Sequence, residues 1–450
     1  MTDPQALLAP TLSAAHQRLA AVRASGYART RNHLAGDVTR LSPYLTHGLL
    51  SLPEVAAQVH QRSRLEPQHK LVMELGWREY FHHVWAYRGA TIFSDLHAGP
   101  LPRAAYATEL PADIRGARTG VPVIDQAVRE LYATGYLHNH ARMWLASYVV
   151  HLRRVHWRVG ADWMYAHLLD GDLASNHLSW QWVAGTGSHK PYLFNAENVA
   201  KYAPPDWHSP GTVVDTTYDA LGEVAAGGPL PVPTVHQARQ AAATAPTPEP
   251  ATLTSPPAWL SRELGFAAPA PLEVSAGATV WLAHPWNLGE PLKQAFAGGE
   301  PPAADAQGAT VVAVFVTDFH EQWPWSEPRW RFVAERMAAM TPHRWVGNRA
   351  EIMRALSAMR AASGVTVQTA DNLHLRHAMG LPFGGPGAGP ARGDTKPLVQ
   401  AMPEPRLTAL PKRLYPSFFA YWSAQTKGAK SLADLPGVAA FLPQLSGLYA

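Results

Sequence analysis

Asp170-Gly-Asp172-Leu-Ala-Ser-Asn176-His-Leu-Ser-Trp180-Gln-Trp182-Val-Ala-Gly-Thr-Gly187 is the stretch on which the fold reading turns. Two acids flank a glycine, the composition of a turn, and a helix can start directly after them. That helix would carry Ala174, Asn176, Trp180 and Gln181, and residues four apart share a face. Asn176 and Trp180 would then project together beside the paired acids. From the residues alone this fits a binding site, and it fits better a capped helix whose tryptophans fill a core, since core aromatics are common and paired acids are often structural.

Working outward, 450 residues exceed one ordinary core, so two domains are expected. The 47% hydrophobic share suits a soluble globular protein. No apolar run reaches roughly 18 residues, so no membrane helix is expected. Residues 1–26 lack a basic segment followed by an apolar one and do not read as a signal peptide. Cysteine is absent, which removes disulfides and thiolate metal sites and makes a reducing cytoplasm the simplest location. A net charge of +4 permits contact with polyanions without demanding it. The 16 tryptophans can fill cores, stack on flat rings or pass electrons.

Residues 1–222 show helical periodicity, with segments at 51–63, 68–88, 122–134, 138–153 and 160–170. Ser51, Pro53 and Glu54 have the chemistry of a helix start. Residues 223–258 are rich in proline and alanine and read as an exposed, semi-rigid linker. Residues 259–400 change character again. β-Branched runs at 278–283, 310–317 and 365–369 alternate with helical segments at 327–340 and 349–362, the signature of a parallel sheet. Residues 401–450 form a tail. The expected fold class is α plus α/β: an all-helical domain, the linker, then a smaller Rossmann-like domain.

Further motifs precede the opening stretch in order. Tyr27 is followed by Asp37-Val-Thr39-Arg40-Leu41-Ser42-Pro43, then by Glu74-Leu-Gly-Trp77-Arg78-Glu79-Tyr80, and then by Tyr136-Leu-His138-Asn139-His140-Ala-Arg142-Met143. Together with 170–187 these resemble the DNA photolyase/cryptochrome family. The resemblance implies FAD as cofactor, held by Tyr27, Thr39, Arg40, Leu41, Ser42, Arg78, Arg142, Asp170, Gly171, Asp172 and Asn176. Arg142 would pair with Asp170, and Asn176 would face flavin N5. Hydroxyls and backbone N–H groups of 39–42 can hold pyrophosphate oxygens, with Arg40 adding charge. Trp180 and Trp157 correspond to the first two members of an electron-hopping chain. Glu74, Trp77, Asn139 and Met143 correspond to residues that meet a flipped-out lesion.

Departures are equally specific. The family usually places an α/β antenna domain before the flavin domain, whereas here α/β-like sequence follows the linker, as in a permuted order. No antenna chromophore is assigned. No tryptophan occurs from 86 to 143, so Tyr106 is the expected third electron carrier. His140 replaces an arginine that contacts DNA, losing a permanent charge. No metal site is expected: His138 and His140 lack a third ligand. The resemblance implies blue-light repair of pyrimidine dimers by electron transfer, a photo-lyase activity with UV-damaged DNA as partner. A cryptochrome-like photoreceptor with a signalling partner, or a flavin-binding protein without repair activity, are the alternatives.

Overall fold

The computed structural model describes residues 8–290, 309–380 and 397–446. It is helical with one five-stranded parallel sheet, the expected fold class. No described helix is long and apolar enough to cross a membrane. The chain divides into two compact units that are not collinear with the sequence. Ser25–Val38 and Arg88–Thr252 belong to the first, and Leu8–Ala24, Thr39–Tyr87 and the residues from Leu253 onward to the second.

The first unit is a set of helices around a core that includes Ile124, Leu131, Trp144, Val149, Trp157 and Trp180. Local chemistry sets the helix ends. Pro122 opens the helix Pro122–Thr134, and Gly135, at φ 64°, closes it. Asp172 caps the helix Leu173–Ala184 by accepting from Ser175 N at 2.8 Å, and Gly185 ends it at φ 80°. The segment expected as one helix over 138–153 is a helix Asn139–Ser147 followed by a wider π turn, Tyr148–Leu152. That turn seats Arg153 against Asp113, with contacts of 2.7 and 3.1 Å. The proline-rich stretch carries a helix, Val235–Ala243, whose Gln237 is buried. Glu249 accepts from Arg115 at 2.6 Å and from Trp163 at 3.0 Å.

The second unit is built on the sheet. Its strands, in chain order, are β1 (Thr279–Ala283), β2 (Thr310–Val316), β3 (Arg344–Gly347), β4 (Thr366–Ala370) and β5 (Val399–Met402). Their spatial order is β3-β2-β1-β4-β5, all parallel, with Val280 opposite Thr310 on one side and Val367 on the other. β-Branched residues form the central strands because both faces are covered: Val312–Val316 are all buried. Helices Glu327–Met340 and Arg349–Ser363 connect β2 to β3 and β3 to β4. This is the doubly wound order, whose direction reverses between β1 and β4. The same unit holds the helices Leu12–Ala20, Leu52–Ser63 and Lys70–Arg88 (to Tyr87). Helix Leu52–Ser63 starts as its sequence implies, with Ser51 and Glu54 forming a reciprocal capping box.

Buried histidines make this unit acid-sensitive. Burial pushes His284 down to about 3 and, with help from the Arg406 charge and against Glu79, His83 down to about 4. Unfolded histidine takes up a proton below roughly pH 6.5, and these two in the folded chain do not until far lower. Their stabilisation is therefore complete above that value and falls away as pH drops toward 4. Each is expected to cost roughly 2 kcal/mol at about pH 5. Urea unfolding of this unit should show a clearly lower midpoint at about pH 5 than at about pH 7; equal midpoints would mean these rings are solvated.

Candidate functional site

The expected flavin residues fall in both units. In the first, Arg142 donates through Nη2 to both Asp170 oxygens, at 2.8 and 3.0 Å, and through Nε to Leu137 O at 2.7 Å. The Asp170 side chain is only 3% exposed, so its charge needs this partner. The guanidinium also lies 5.6 Å over the Tyr136 ring. Two residues on, Asp172 is buried and caps the helix that carries Asn176 and Trp180. Asn176 is partly exposed and donates to Ala161 O at 2.8 Å, tying this helix to the helix Trp157–His167. Gly171 N bonds Leu168 O at 3.0 Å and holds the turn between the two helices. Ser175 Oγ is buried without a hydrogen-bond partner among the described residues. The Arg142–Asp170 pair and the helix capped by Asp172 thus bring Arg142, Asp170, Gly171, Asp172 and Asn176 together.

Nearby, Asn139 is exposed and donates to Met143 Sδ at 3.5 Å, so these two share one helical face. His140 is anchored rather than free: its Nδ1 pairs with Asn32 O at 2.7 Å and its ring stacks on Trp144. Burial, against that hydrogen bond, holds it below the usual histidine range. It therefore does not replace the arginine's charge. Tyr27 lies in the short helix Ala24–Thr30 of the same unit.

The tryptophan path is tightly packed. Trp180 and Trp157 are each 2% exposed. A Cβ on Gly160 would lie 2.4 Å from the Trp180 ring, so that ring rests on the turn just after Trp157. Trp157 donates to Asp95 Oδ1 at 2.5 Å. Tyr106 meets the His156 ring edge-on at 6.2 Å and borders the same small cavity as Trp157, of about 20 Å³.

In the second unit, Thr39 Oγ1 accepts from Leu41 N at 3.4 Å, and Arg40 adopts a left-handed backbone, φ 51°. Few side chains hold that conformation without support. Ser42 and Pro43 open a short helix, Ser42–Thr46. Glu74, Trp77 and Arg78 share a face of Lys70–Arg88, with Glu74 exposed. Arg78 borders a cavity of about 100 Å³ with His82, Trp286, Asn372 and Glu404, beyond the carboxyl ends of β1, β4 and β5. Burial pushes the Glu404 carboxyl up, against His82, Asn372 and Arg78.

Two features of this unit have no local signature in the sequence. Trp77 is stacked by Phe418, with ring centroids 4.0 Å apart and planes 16° from parallel. Glu79, read only as part of a motif, is buried and accepts from Leu407 N at 2.6 Å, Tyr421 Oη at 2.9 Å and Arg406 Nη2 at 3.2 Å. Among the described residues, no group of three histidines or acids could hold a metal ion.

Residues 71–206 match the model of a family described as the FAD binding domain of DNA photolyase. A deoxyribodipyrimidine photo-lyase of Streptomyces griseus is 39% identical over 163 residues, covering 36% of this chain and 35% of its own. A chloroplastic/mitochondrial cryptochrome DASH of rice is 35% identical over 193 residues, covering 40% and 32%. A bacterial class III photolyase structure from Agrobacterium tumefaciens aligns with a TM-score of 0.40 at 25% identity, over 51% of this chain and 55% of that one. The chain spans about a third of the length of these two curated relatives. The donor set fits FAD: a charge-balanced Arg142–Asp170 pair, a half-exposed amide at Asn176 and the buried Ser175 hydroxyl offer hydrogen bonds of both kinds.

Proposed function

We propose that this chain, whose residues 71–206 match the FAD binding domain of DNA photolyase, carries out light-driven repair of pyrimidine dimers in DNA with FAD as cofactor. The observation that carries the proposal is the Arg142–Asp170 pair set beside the capped helix bearing Asn176 and Trp180. In the first unit Arg142, Asp170, Asp172, Asn176 and Tyr27 would hold the cofactor, and in the second Arg78 and the 39–42 loop carry the other residues that the family resemblance assigns to it. When bound and reduced, FAD supplies the light-driven electron that splits a cyclobutane dimer.

The protein's own tasks are binding and orientation. Asn176 presents an amide whose Nδ2 is already committed to Ala161 O, which fixes how its oxygen points. Arg142 keeps Asp170 charge-balanced in a buried setting, so the local field is defined without a stray carboxylate. By the family resemblance, Trp77, Met143, Glu74 and Asn139 are the residues that would meet a flipped base, Trp77 with a flat ring for it to stack on. Lysines and arginines would hold phosphates.

One observation bears on a second reading, a light sensor without repair: Phe418 already lies on a face of Trp77, where a flipped base would stack. A single assay separates the two. The reduced protein is incubated with dimer-containing DNA under blue light, and dimers are counted with a dark control. Light-dependent loss of dimers supports repair. Yellow, photoreducible protein that leaves every dimer intact sinks repair and keeps sensing. Colourless protein that takes up no FAD sinks both.

A further inference from the structure

We infer that Asp95 is the proton acceptor that terminates the tryptophan path, by taking the indole proton of Trp157 once that ring has lost an electron. The inference rests on the flavin reading above and deepens it.

The geometry is specific. Trp157 is a core residue, yet its Nε1–H points at a carboxylate, Asp95 Oδ1, at 2.5 Å. The fold does not force such a partner on every buried indole. Nε1 of Trp259, Trp281, Trp286 and Trp330 is buried with no hydrogen-bond partner among the described residues. Asp95 comes from the loop after a short 3-10 segment, Gly89–Phe93, and its side chain is 35% exposed. It therefore touches the buried ring on one side and water on the other. His156 stands beside it, Nε2 3.7 Å from the carboxylate. His156 Nδ1 accepts from Arg158 N at 3.2 Å, so the ring proton sits on Nε2 and faces Asp95. Asp95, Arg103, Tyr106, His156 and Trp157 all border the cavity of about 20 Å³, enough room for a water to relay the proton outward.

The chemistry balances. Trp180, oxidised by the light-excited flavin, takes one electron from Trp157. Neutral indole holds its N–H proton tightly, but the radical cation is far more acidic, enough to give that proton to a carboxylate. Its N–H bond breaks, an O–H bond forms on Asp95, and a neutral Trp157 radical remains. Trp180 is restored. Loss of the proton stabilises the charge separation, because the returning electron must now be accompanied by a proton. This supplies an end point where the resemblance would put a third tryptophan and residues 86–143 hold none. Tyr106 is less suited to that task. Burial raises its phenol above the usual range, against a backbone hydrogen bond from Leu101, so it parts with its proton less readily than an ordinary tyrosine.

The test compares the wild type with Asp95→Asn, which keeps a hydrogen-bond acceptor but cannot hold the proton, and with Asp95→Glu as the rescue. Flash spectroscopy of the FAD-loaded protein should show a deprotonated tryptophan radical in the wild type, its formation slowed in deuterated solvent. In Asp95→Asn that signal should be lost, the cation should persist and recombination should quicken; Asp95→Glu should restore the wild-type signal. A dark nuclear magnetic resonance spectrum gives an independent reading. The Trp157 indole proton, assigned with Trp157→Phe, should lie downfield of the other indoles and move back in Asp95→Asn. An unchanged radical in a photoreducing Asp95→Asn protein, or a tyrosine radical in its place, overturns the inference alone. If the variants do not fold, absence of an isotope effect in the wild type overturns it. Failure to bind FAD at all would instead sink the function proposed above.

Discussion

Replacing Arg142 by Met should cost about 3–5 kcal/mol of folding stability, the range for stripping the partner from a buried charge. Asp170 would remain in place with its side chain 3% exposed and its guanidinium gone. Chemical denaturation, followed by tryptophan fluorescence, reads the loss directly. An Arg142→Lys chain should fall between, because an ammonium keeps the charge but not the planar contacts to Asp170 and Leu137 O. FAD uptake should fall with Arg142→Met and recover in part in Arg142→Lys. A loss below roughly 1 kcal/mol would place the pair in water, where exposed ion pairs contribute that little.

The second large effect is expected at Glu79. Its carboxylate gathers Arg406 Nη2, the backbone N–H groups of Leu407 and Thr408, the Thr408 hydroxyl and the Tyr421 hydroxyl. Both Glu79 and Tyr421 are buried, and burial with the neighbouring Glu79 charge holds the Tyr421 phenol well above its usual range. Glu79→Ala would leave several donors without an acceptor, each costing about 1–3 kcal/mol if it stays buried. The chain would instead expose residues 406–422 to water. Limited proteolysis should cut there in the variant and spare the wild type, and Glu79→Gln should show partial protection. Equal resistance in all three would mean that apolar contacts of Phe418 and Trp422 suffice to dock this segment.

What was legible in the sequence was local. The Asp-Gly-Asp turn, the cap at Asp172 and the shared face of Asn176 and Trp180 all follow from spacing within one helical turn. The β-branched runs announced the parallel sheet because strands buried on both faces have little room for polar residues. The Arg142–Asp170 pair spans 28 residues and was reached only through the family resemblance. The contacts that escaped detection join distant positions. Glu79 meets Leu407 across 328 residues, and Trp157 meets Asp95 across 62. An acid on a helix usually faces water, so nothing in the residues near Glu79 marked it as an anchor. The division into units was hidden for the same reason: residues 39–87 pack with sequence more than 200 positions away, and no periodicity encodes that.

The Phe418–Trp77 stack has a consequence for affinity. Any flat ring seeking that face of Trp77 competes with a phenyl group tethered to the same molecule, a rival that dilution cannot remove. Apparent binding then weakens by the fraction of time the stack stands open. If opening costs about 2.7 kcal/mol, that fraction is about 1% and a base binds roughly a hundredfold more weakly than to a bare tryptophan. Phe418→Ala would lift this handicap, so the measured gain in affinity for a base-like ligand would equal the free energy with which the chain keeps its own ring in place.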